Sequence, residues 1–304
     1  MEPTPYHVPA LAPAVARLAA GRRRVVDGTV GGGGHAALFL AAGAEVLAID
    51  RDPDALAAAR DRLGDDRIRY LAATFAEPAA VATAAQFRPD FVFLDLGVSS
   101  RQLDADARGF SFRPGIALDM RMTPHGPTGA ELLNTLSREA LATVFREFGD
   151  EPRGARLAGV VVERRGRAPL ATSDDLVGAI RRALGPRTGP SDFARLFQAV
   201  RIAVNDERAE LEEALPALRD ALAPGGILAV ISYHSGEDRI VKGAFREWGR
   251  ACVCPPGQPV CRCRGRALGT VLTRRPIRPD TDEERDNPRA RSARLRAFEV
   301  ADAG

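Results

Sequence analysis

The sequence of 304 residues has no long apolar run. No stretch approaches the roughly 18 consecutive apolar residues that a membrane-spanning helix needs. The first ten residues, MEPTPYHVPA, contain neither the basic nor the apolar part of a signal peptide. We therefore expect a cytoplasmic protein with no membrane partner. The 29 glycines and 22 prolines stay below the roughly 25–30% share of disordered chains, so the chain should fold.

Lysine is almost absent, because Lys242 is the single lysine and arginine supplies nearly all of the positive charge. The net charge of +3 is small, but its excess lies late in the chain. Between Arg250 and Phe298 there are 12 arginines and 5 acidic residues. Arginine makes bidentate contacts with phosphate and stacks on bases. A genome rich in G and C would explain the general use of arginine, so only this local cluster is informative.

Apolar segments alternate with alanine-rich helical segments, which is the pattern of a βα fold. The predicted strands are VVDGTV, AEVLAID, IRYLAAT, FVFLDLGV and a later segment that ends at Tyr233, with TVLTRRPI as a possible late strand. The fourth is apolar throughout, as in strands buried on both faces of a parallel sheet. The helix after the second strand has Asp52 as its N-cap, Pro53 at its first position and Gly64 beyond its end.

The βα alternation stops for about a hundred residues after the fourth strand. This part contains helical patterns and loops but no convincing pair of strands. Ser137 can cap one of these helices, and either Thr172 or Ser173 can cap another. We therefore predict a discontinuous α/β domain, residues 1–103 and 207–304, interrupted by a helical insert over residues 104–206.

A glycine-rich loop, GGGGH, follows the first strand. Such a loop lets the backbone approach a nucleotide, although a tight turn or a dehydrogenase would show the same pattern. Asp27 ends the first strand, and Asp50 ends the second at the place of a ribose hydroxyl pair. The Asp27 carboxylate would repel a pyrophosphate but suit the ammonium group of S-adenosylmethionine. The two acids therefore favour a methyl donor over NAD.

Two further residues follow later strands. Asp95 ends the fourth strand, where the adenine amine and the reacting group usually meet in open parallel sheets. A helix cap or a turn is the alternative role for Asp95. Phe75, after the third strand, could pack on adenine or simply belong to the apolar core.

Several longer motifs occur in a characteristic order: DGTVGGGGHA, AIDRDPDAL, LDLGVSSRQLDADARGFSF, LDMRM, FQAVRIAVNDE, LAPGGILAVISYHSGEDRIVK and NPRARSARLR. In these blocks, from about Tyr6 to Arg296, the chain closely resembles the MraW family of ribosomal RNA methyltransferases. The block over residues 94–112 is the most specific. One departure is YHSGEDR, where the family usually has FHSLEDR.

The resemblance implies methylation of the exocyclic N4 of one cytidine in the decoding region of 16S rRNA, with S-adenosylmethionine as donor and 16S rRNA within the 30S subunit as the expected partner. It also implies a Rossmann-like S-adenosylmethionine-dependent methyltransferase sheet interrupted by a helical substrate-recognition insert. The donor contacts carried over are Gly33, Gly34, His35, Asp50, Phe75, Asp95 and Gln102. Two readings from other classes remain: an NAD-dependent oxidoreductase and an RNA-binding ribosome-assembly factor with vestigial catalysis.

Methyl transfer from a sulfonium is an in-line displacement that needs no metal. The lone pair of the acceptor N4 is delocalised into the ring, so the site needs oxygen atoms that accept hydrogen bonds from this amine. Methylation at C5 would instead need a cysteine beside the fourth strand, and the first cysteine is Cys252. We hypothesise that Asp95, Ser99 and Ser100 form the acceptor wall and that His234 and Ser235, after the fifth strand, face it. His234 could instead cap the helix that follows. Arg121 and Arg201 are candidates for RNA contacts.

All four cysteines lie in CVCPPGQPVCRC, as two C-x-C pairs separated by six residues. Four thiolates so close could hold a tetrahedral zinc ion, although paired ligands usually have at least two residues between them. We predict no metal site and a loop of reduced thiols as the default. Zinc binding is the alternative, at Cys252, Cys254, Cys261 and Cys263.

Overall fold

The computed structural model describes residues 9–97, 109–123, 125–255, 257–258, 260 and 262–302. The chain divides into two compact units, one of Met1–Gly97 and Glu210–Gly304 and the other of Val98–Ala209. Within the described residues, no helix is long and apolar enough to cross a membrane. Four residues singled out from the sequence lie outside the described part: Ser99, Ser100, Gln102 and Cys261.

The first unit contains a seven-stranded sheet in the order β3-β2-β1-β4-β5-β7-β6. Its strands are β1 (Arg24–Asp27), β2 (Glu45–Asp50), β3 (Ile68–Ala72), β4 (Phe91–Asp95), β5 (Ile227–Ser232), β6 (Gly269–Val271) and β7 (Arg294–Val300). Strands β1 to β5 pair in parallel, whereas β7 runs antiparallel to both β5 and β6. The predicted parallel α/β sheet is thus confirmed, and β7 is a strand that the sequence patterns did not indicate.

Helices cover both faces of this sheet. They are α1 (Ala12–Ala19), α2 (Gly34–Ala41), α3 (Pro53–Leu63), α4 (Pro78–Phe87), α10 (Glu207–Ala221), α11 (Ser235–Trp248) and α12 (Thr281–Asp286), with a 3-10 turn over Pro288–Ser292. Apolar side chains of α1, α2 and α3 share one core with the sheet, and those of α4, α10 and α11 share the other. Asp52 caps α3 as predicted, because its carboxylate accepts from the Asp54 amide at 3.0 Å.

The second unit is helical and has its own apolar core, in which Leu133, Leu141 and Phe145 are fully buried. Its described helices are α5 (Gly129–Thr135), α6 (Arg138–Thr143), α7 (Gly154–Arg165), α8 (Ser173–Leu184) and α9 (Pro190–Asn205), with a π-helical turn over Val144–Phe148. The predicted cap Ser137 accepts from the Ala140 amide at 3.1 Å. Thr172 is the N-cap of α8 as predicted, and its own amide donates to the carboxylate of Asp175 at 2.9 Å.

Candidate active site at the carboxyl edge of the sheet

Three aspartates end neighbouring parallel strands. Asp27 is the last residue of β1, Asp50 of β2 and Asp95 of β4. Because these strands are parallel and adjacent, their carboxyl ends lie on one edge of the sheet. Ligands of open α/β sheets bind outside this edge, so it is the place to look for a functional site.

The glycine-rich loop joins β1 to α2 and contacts Asp50. One carboxylate oxygen of Asp50 accepts from the Gly31 amide at 2.9 Å, and the other accepts from the Asp52 amide, also at 2.9 Å. Gly33 has φ of +77°, and a Cβ there would lie 2.8 Å from Cδ1 of Leu63. A side chain at Gly33 would be strained and crowded, so the loop requires glycine at this position.

Asp27 is almost completely buried, with 1% of its surface exposed. The hydrogen bond that it accepts from the Thr29 amide, at 3.2 Å, lowers its pKa. Burial outweighs this hydrogen bond and, with smaller contributions from the charges of Asp95 and Asp50, raises the pKa of Asp27 to about 8. The carboxyl therefore holds its proton at neutral pH until a cation approaches it.

Asp95 is held from two sides. The Tyr233 hydroxyl donates to its Oδ1 at 2.9 Å, and the Asp95 amide donates to Oγ1 of Thr29 at 2.6 Å. Burial raises the pKa of Asp95 to about 7, although the hydrogen bond from Tyr233 acts in the opposite direction. A carboxyl group with this pKa can both accept and release a proton near neutral pH.

His35 lies beside the same carboxyl group. Its Nε2 is 2.9 Å from the carbonyl oxygen of Ala10, so this nitrogen donates and carries the proton. Its Nδ1 lies 3.6 Å from Oδ2 of Asp95. Burial lowers the pKa of His35 to about 4, so the imidazole is neutral at pH 7 and supplies no positive charge to Asp95.

Two other predicted site residues have structural contacts. Phe75 belongs to the apolar core that includes Leu94. His234 is the N-cap of α11, where its Nδ1 accepts from the Glu237 amide at 3.3 Å. These contacts match the alternatives considered for both residues, and their roles toward a donor or an acceptor stay predictions.

The sequence patterns did not single out Thr29 or the contact of Tyr233. Thr29 belongs to the glycine-rich motif, and Tyr233 was named only as the end of the fifth predicted strand and as part of a motif that departs from the family pattern. Because β5 adjoins β4, with Asp95 opposite Ile231, the residues that follow β5 come next to Asp95. A search for polar residues just beyond every parallel strand would have found Tyr233.

The two candidate RNA-binding arginines of the helical unit contact carboxylates of that unit. Arg121 donates to both carboxylate oxygens of Asp119, at 2.8 Å each. Arg201 donates to both oxygens of Glu207, also at 2.8 Å each. These bidentate contacts orient the guanidinium groups and neutralise part of their charge.

The sheet is parallel except for β7, which is reversed and lies between β5 and β6, and three aspartates lie at its carboxyl edge. This is the architecture of the S-adenosylmethionine-dependent methyltransferases with a Rossmann-like fold. The observed fold is the one that the sequence predicts. The model of the MraW methylase family matches residues 6–301, and the chain belongs to this family.

Two relatives agree with this assignment. The "Ribosomal RNA small subunit methyltransferase H" of Gemmatimonas aurantiaca is 55% identical over 97% of this chain and 96% of its own. The protein of the same name from Heliobacterium modesticaldum is 44% identical over 97% of this chain and 98% of its own. Among solved structures, an rRNA methylase from Streptococcus thermophilus is 12% identical, with a TM-score of 0.43 over 99% of both chains.

The residues at the carboxyl edge fit S-adenosylmethionine, the methyl donor of this class. Asp27 offers a buried carboxyl group to an ammonium ion, and Asp50 has a carboxylate oriented by two backbone amides. Gly33 and Gly34 keep the start of α2 free of bulky side chains. Neutral His35 adds no positive charge that would oppose a sulfonium.

Proposed function

We propose that this enzyme transfers the methyl group of S-adenosylmethionine to the exocyclic N4 of one cytidine in the decoding region of 16S rRNA. The substrate in this proposal is the 30S subunit, and the reaction takes place in the cytoplasm. Membership of the MraW methylase family supports the proposal, as do the names of the relatives. The observation that carries the chemistry is the Asp95 carboxyl group, held by Tyr233 at the edge of the sheet.

The acceptor nitrogen of this reaction is a weak nucleophile. Its lone pair is delocalised into the cytosine ring, so the site must accept hydrogen bonds from the amine as it pyramidalises and must then take a proton. Asp95 can do both, because it has carboxylate oxygens and a pKa raised to about 7. In this proposal Ser99 adds an oxygen acceptor and His234 faces Asp95 as a second polar group.

S-adenosylmethionine supplies an electrophilic methyl group on a sulfonium when it is bound. The proposed contacts of this chain to it are Gly33, Gly34, His35, Asp50, Phe75, Asp95 and Gln102. Asp27 binds the ammonium group and Asp50 the ribose hydroxyls, so that the donor is fixed at both ends. Positioning of this kind supplies much of the rate enhancement of a bimolecular displacement.

In this proposal the discontinuous domain, residues 1–103 and 207–304, binds the donor. RNA recognition is assigned to the helical insert, residues 104–206, and to the arginine-rich tail of the discontinuous domain, residues 250–298. The target base must be single-stranded or flipped out of its helix to reach a carboxyl group. Basic residues then hold the flanking phosphates.

The test is a methylation assay with labelled S-adenosylmethionine on 30S subunits that lack the modification, followed by mass spectrometry of the nucleosides. The wild-type enzyme is expected to produce N4-methylcytidine. Asp95→Ala should abolish the product, and Asp95→Asn should reduce it strongly because an amide cannot take up the proton.

A matched control is Asp61→Asn, which makes the same change at an exposed residue of α3. This variant should keep wild-type turnover. If measurable donor binding were accompanied by no methylation of subunits or naked RNA, the acceptor assignment would be wrong. An RNA-binding assembly factor without catalysis would then be the better interpretation.

A further inference from the structure

The loop between α11 and β6 brings cysteine thiols together. The Sγ atoms of Cys252, Cys254 and Cys263 all lie within 4.8 Å of one another, and we call these three residues the thiol cluster. Cys252 is exposed, and the other two are half-buried. Methyl transfer to an amino nitrogen uses no thiol, so the proposed function leaves this cluster unexplained.

The separations in the thiol cluster are close to those of a metal site. Zinc–thiolate bonds are about 2.3 Å long, so the sulfur atoms of a tetrahedral zinc site lie about 3.8 Å apart. The thiol cluster needs little movement to reach this geometry. Its C-x-C spacing is shorter than usual for paired ligands, but the fold of the loop has already brought the sulfurs of Cys252 and Cys254 together with that of Cys263.

Backbone and side-chain contacts hold the loop in this arrangement. The Val253 amide donates to Sγ of Cys263 at 3.3 Å, a contact that favours and orients a thiolate. Arg264, the next residue after Cys263, donates to the carboxylate of Glu247 at 2.6 Å and to the carbonyl oxygen of Arg250 at 3.1 Å. The second half of the loop is therefore tied to the end of α11.

The surrounding charge also suits a thiolate site. Residues 249–273 contain four arginines and no acidic residue. Three thiolates and one divalent cation carry a net charge of −1, which suits a segment that is rich in arginine.

We propose that the thiol cluster binds one Zn²⁺ ion as a structural site. The three thiolates fill three of the four positions of a tetrahedral ion. The ion cross-links the two halves of the loop and so fixes the arginine-rich segment that follows α11. This site lies outside the methyl-transfer chemistry, and it does not depend on which base is methylated.

The experiment uses the full chain, purified with a reductant, loaded with Zn²⁺ and freed of excess metal by gel filtration. Elemental mass spectrometry is expected to find about one equivalent of zinc per chain. Cys252→Ser and Cys263→Ser should each lower the retained zinc at least tenfold. The matched control is Arg262→Ser, which changes the same loop but keeps every thiol and should retain the full equivalent.

Cobalt provides a second measurement that does not depend on the folding of a variant. Titration of the wild-type chain with Co²⁺ should produce the visible bands of tetrahedral thiolate coordination, which zinc then abolishes. The proposal is wrong if the reduced wild type retains less than about a tenth of an equivalent or gives no such bands. Equal retention by Cys252→Ser, Cys263→Ser and the wild type would also overturn it, since the metal would then bind elsewhere.

Discussion

Asp27 is the residue whose ionisation should respond most to the donor. Its pKa is raised to about 8 because it is buried, so at pH 7 it is mostly protonated in the ligand-free enzyme. An ammonium group bound beside it lowers that pKa and displaces the proton. Calorimetry in buffers of different ionisation enthalpy should detect release of about one proton per donor at pH 7. Donor affinity should accordingly rise from pH 6 to pH 8.

Asp27→Asn should abolish most of this proton release and weaken binding, whereas Asp61→Asn should change neither. The folded state of the wild type binds the Asp27 proton more tightly than the unfolded state, whose pKa is near 3.8. Its contribution to stability is therefore complete below that value and is lost as pH rises toward 8. Donor binding that releases no proton in the wild type would contradict this role of Asp27.

In the proposed mechanism, Tyr233 acts on the reaction through Asp95, as a positioning residue. Its hydroxyl donates to Oδ1 of Asp95 and lowers the pKa of that carboxyl group. In Tyr233→Phe the pKa of Asp95 should rise, so the acidic limb of the pH–rate profile should move to higher pH. Turnover at pH 7 should fall about tenfold, since a hydrogen bond to a charged group contributes roughly 1.5–3 kcal/mol.

The matched control for this variant is Tyr70→Phe, which removes a hydroxyl that donates to the carbonyl oxygen of Gly64 at 2.7 Å. Its pH profile should coincide with that of the wild type. A purely structural role of Tyr233 would lower turnover equally at every pH, and that result would exclude the proposed effect on Asp95.

At the scale of elements, His234 at the start of α11 has a structural role and a proposed catalytic role. Its ring accepts from the Glu237 amide, and the Glu237 carboxylate accepts from the Tyr233 amide at 2.9 Å. Loss of the cap in His234→Ala should lower the free energy of unfolding by about 1 kcal/mol, measured by denaturant titration. His234→Ser should restore it, because serine is a favoured N-cap.

The same two variants separate the roles. If the imidazole takes part in methylation, His234→Ser is as stable as the wild type and binds the donor normally but loses most of its turnover. Wild-type turnover in His234→Ser would mean that His234 serves only as a cap.

Strand β7 shows where sequence patterns fail at this scale. Its sequence, RLRAFEV, contains two arginines and keeps the polar–apolar alternation of a half-buried strand only as far as Ala297. Arg296 is nevertheless buried, because its Nε donates to Oδ1 of Asp238 at 2.6 Å. The carboxylate comes from α11, 58 residues earlier in the chain. No local pattern predicts a strand whose charged residue is neutralised by a distant partner. By contrast, α3 has local caps at both ends and was predicted correctly.

At the scale of the whole molecule, the arginine-rich tail should contribute to RNA affinity. Arg274, Arg275 and Arg278 are exposed. Each phosphate contact on single-stranded RNA contributes about 0.7 to the slope of log affinity against log salt. Changing all three to glutamine should therefore reduce the slope by about two, measured by filter binding to an rRNA fragment.

The control for the tail is an equal change of charge elsewhere. Arg60, Arg67 and Arg69 are exposed residues near β3, and their replacement by glutamine should leave the salt slope unchanged. An equal loss of slope in both triple variants would indicate general electrostatic attraction instead of a defined tail contact.

The sequence by itself determined the features that depend on neighbours along the chain. Apolar runs predicted strands β1 to β5, and Asp52, Ser137 and Thr172 predicted helix starts, because strand and cap preferences act over a few residues. The order of motifs identified the family, which the family model and the relatives confirm.

Only the tertiary structure decided which polar groups meet. Tyr233 and Asp95 are 138 residues apart in the chain, and the pairing of β4 with β5 brings them within a hydrogen bond of each other. The sequence places each residue at the end of a strand, but strand order depends on packing of the whole sheet. Burial likewise results from packing, and it is burial that raises the pKa values of Asp27 and Asp95 and lowers that of His35.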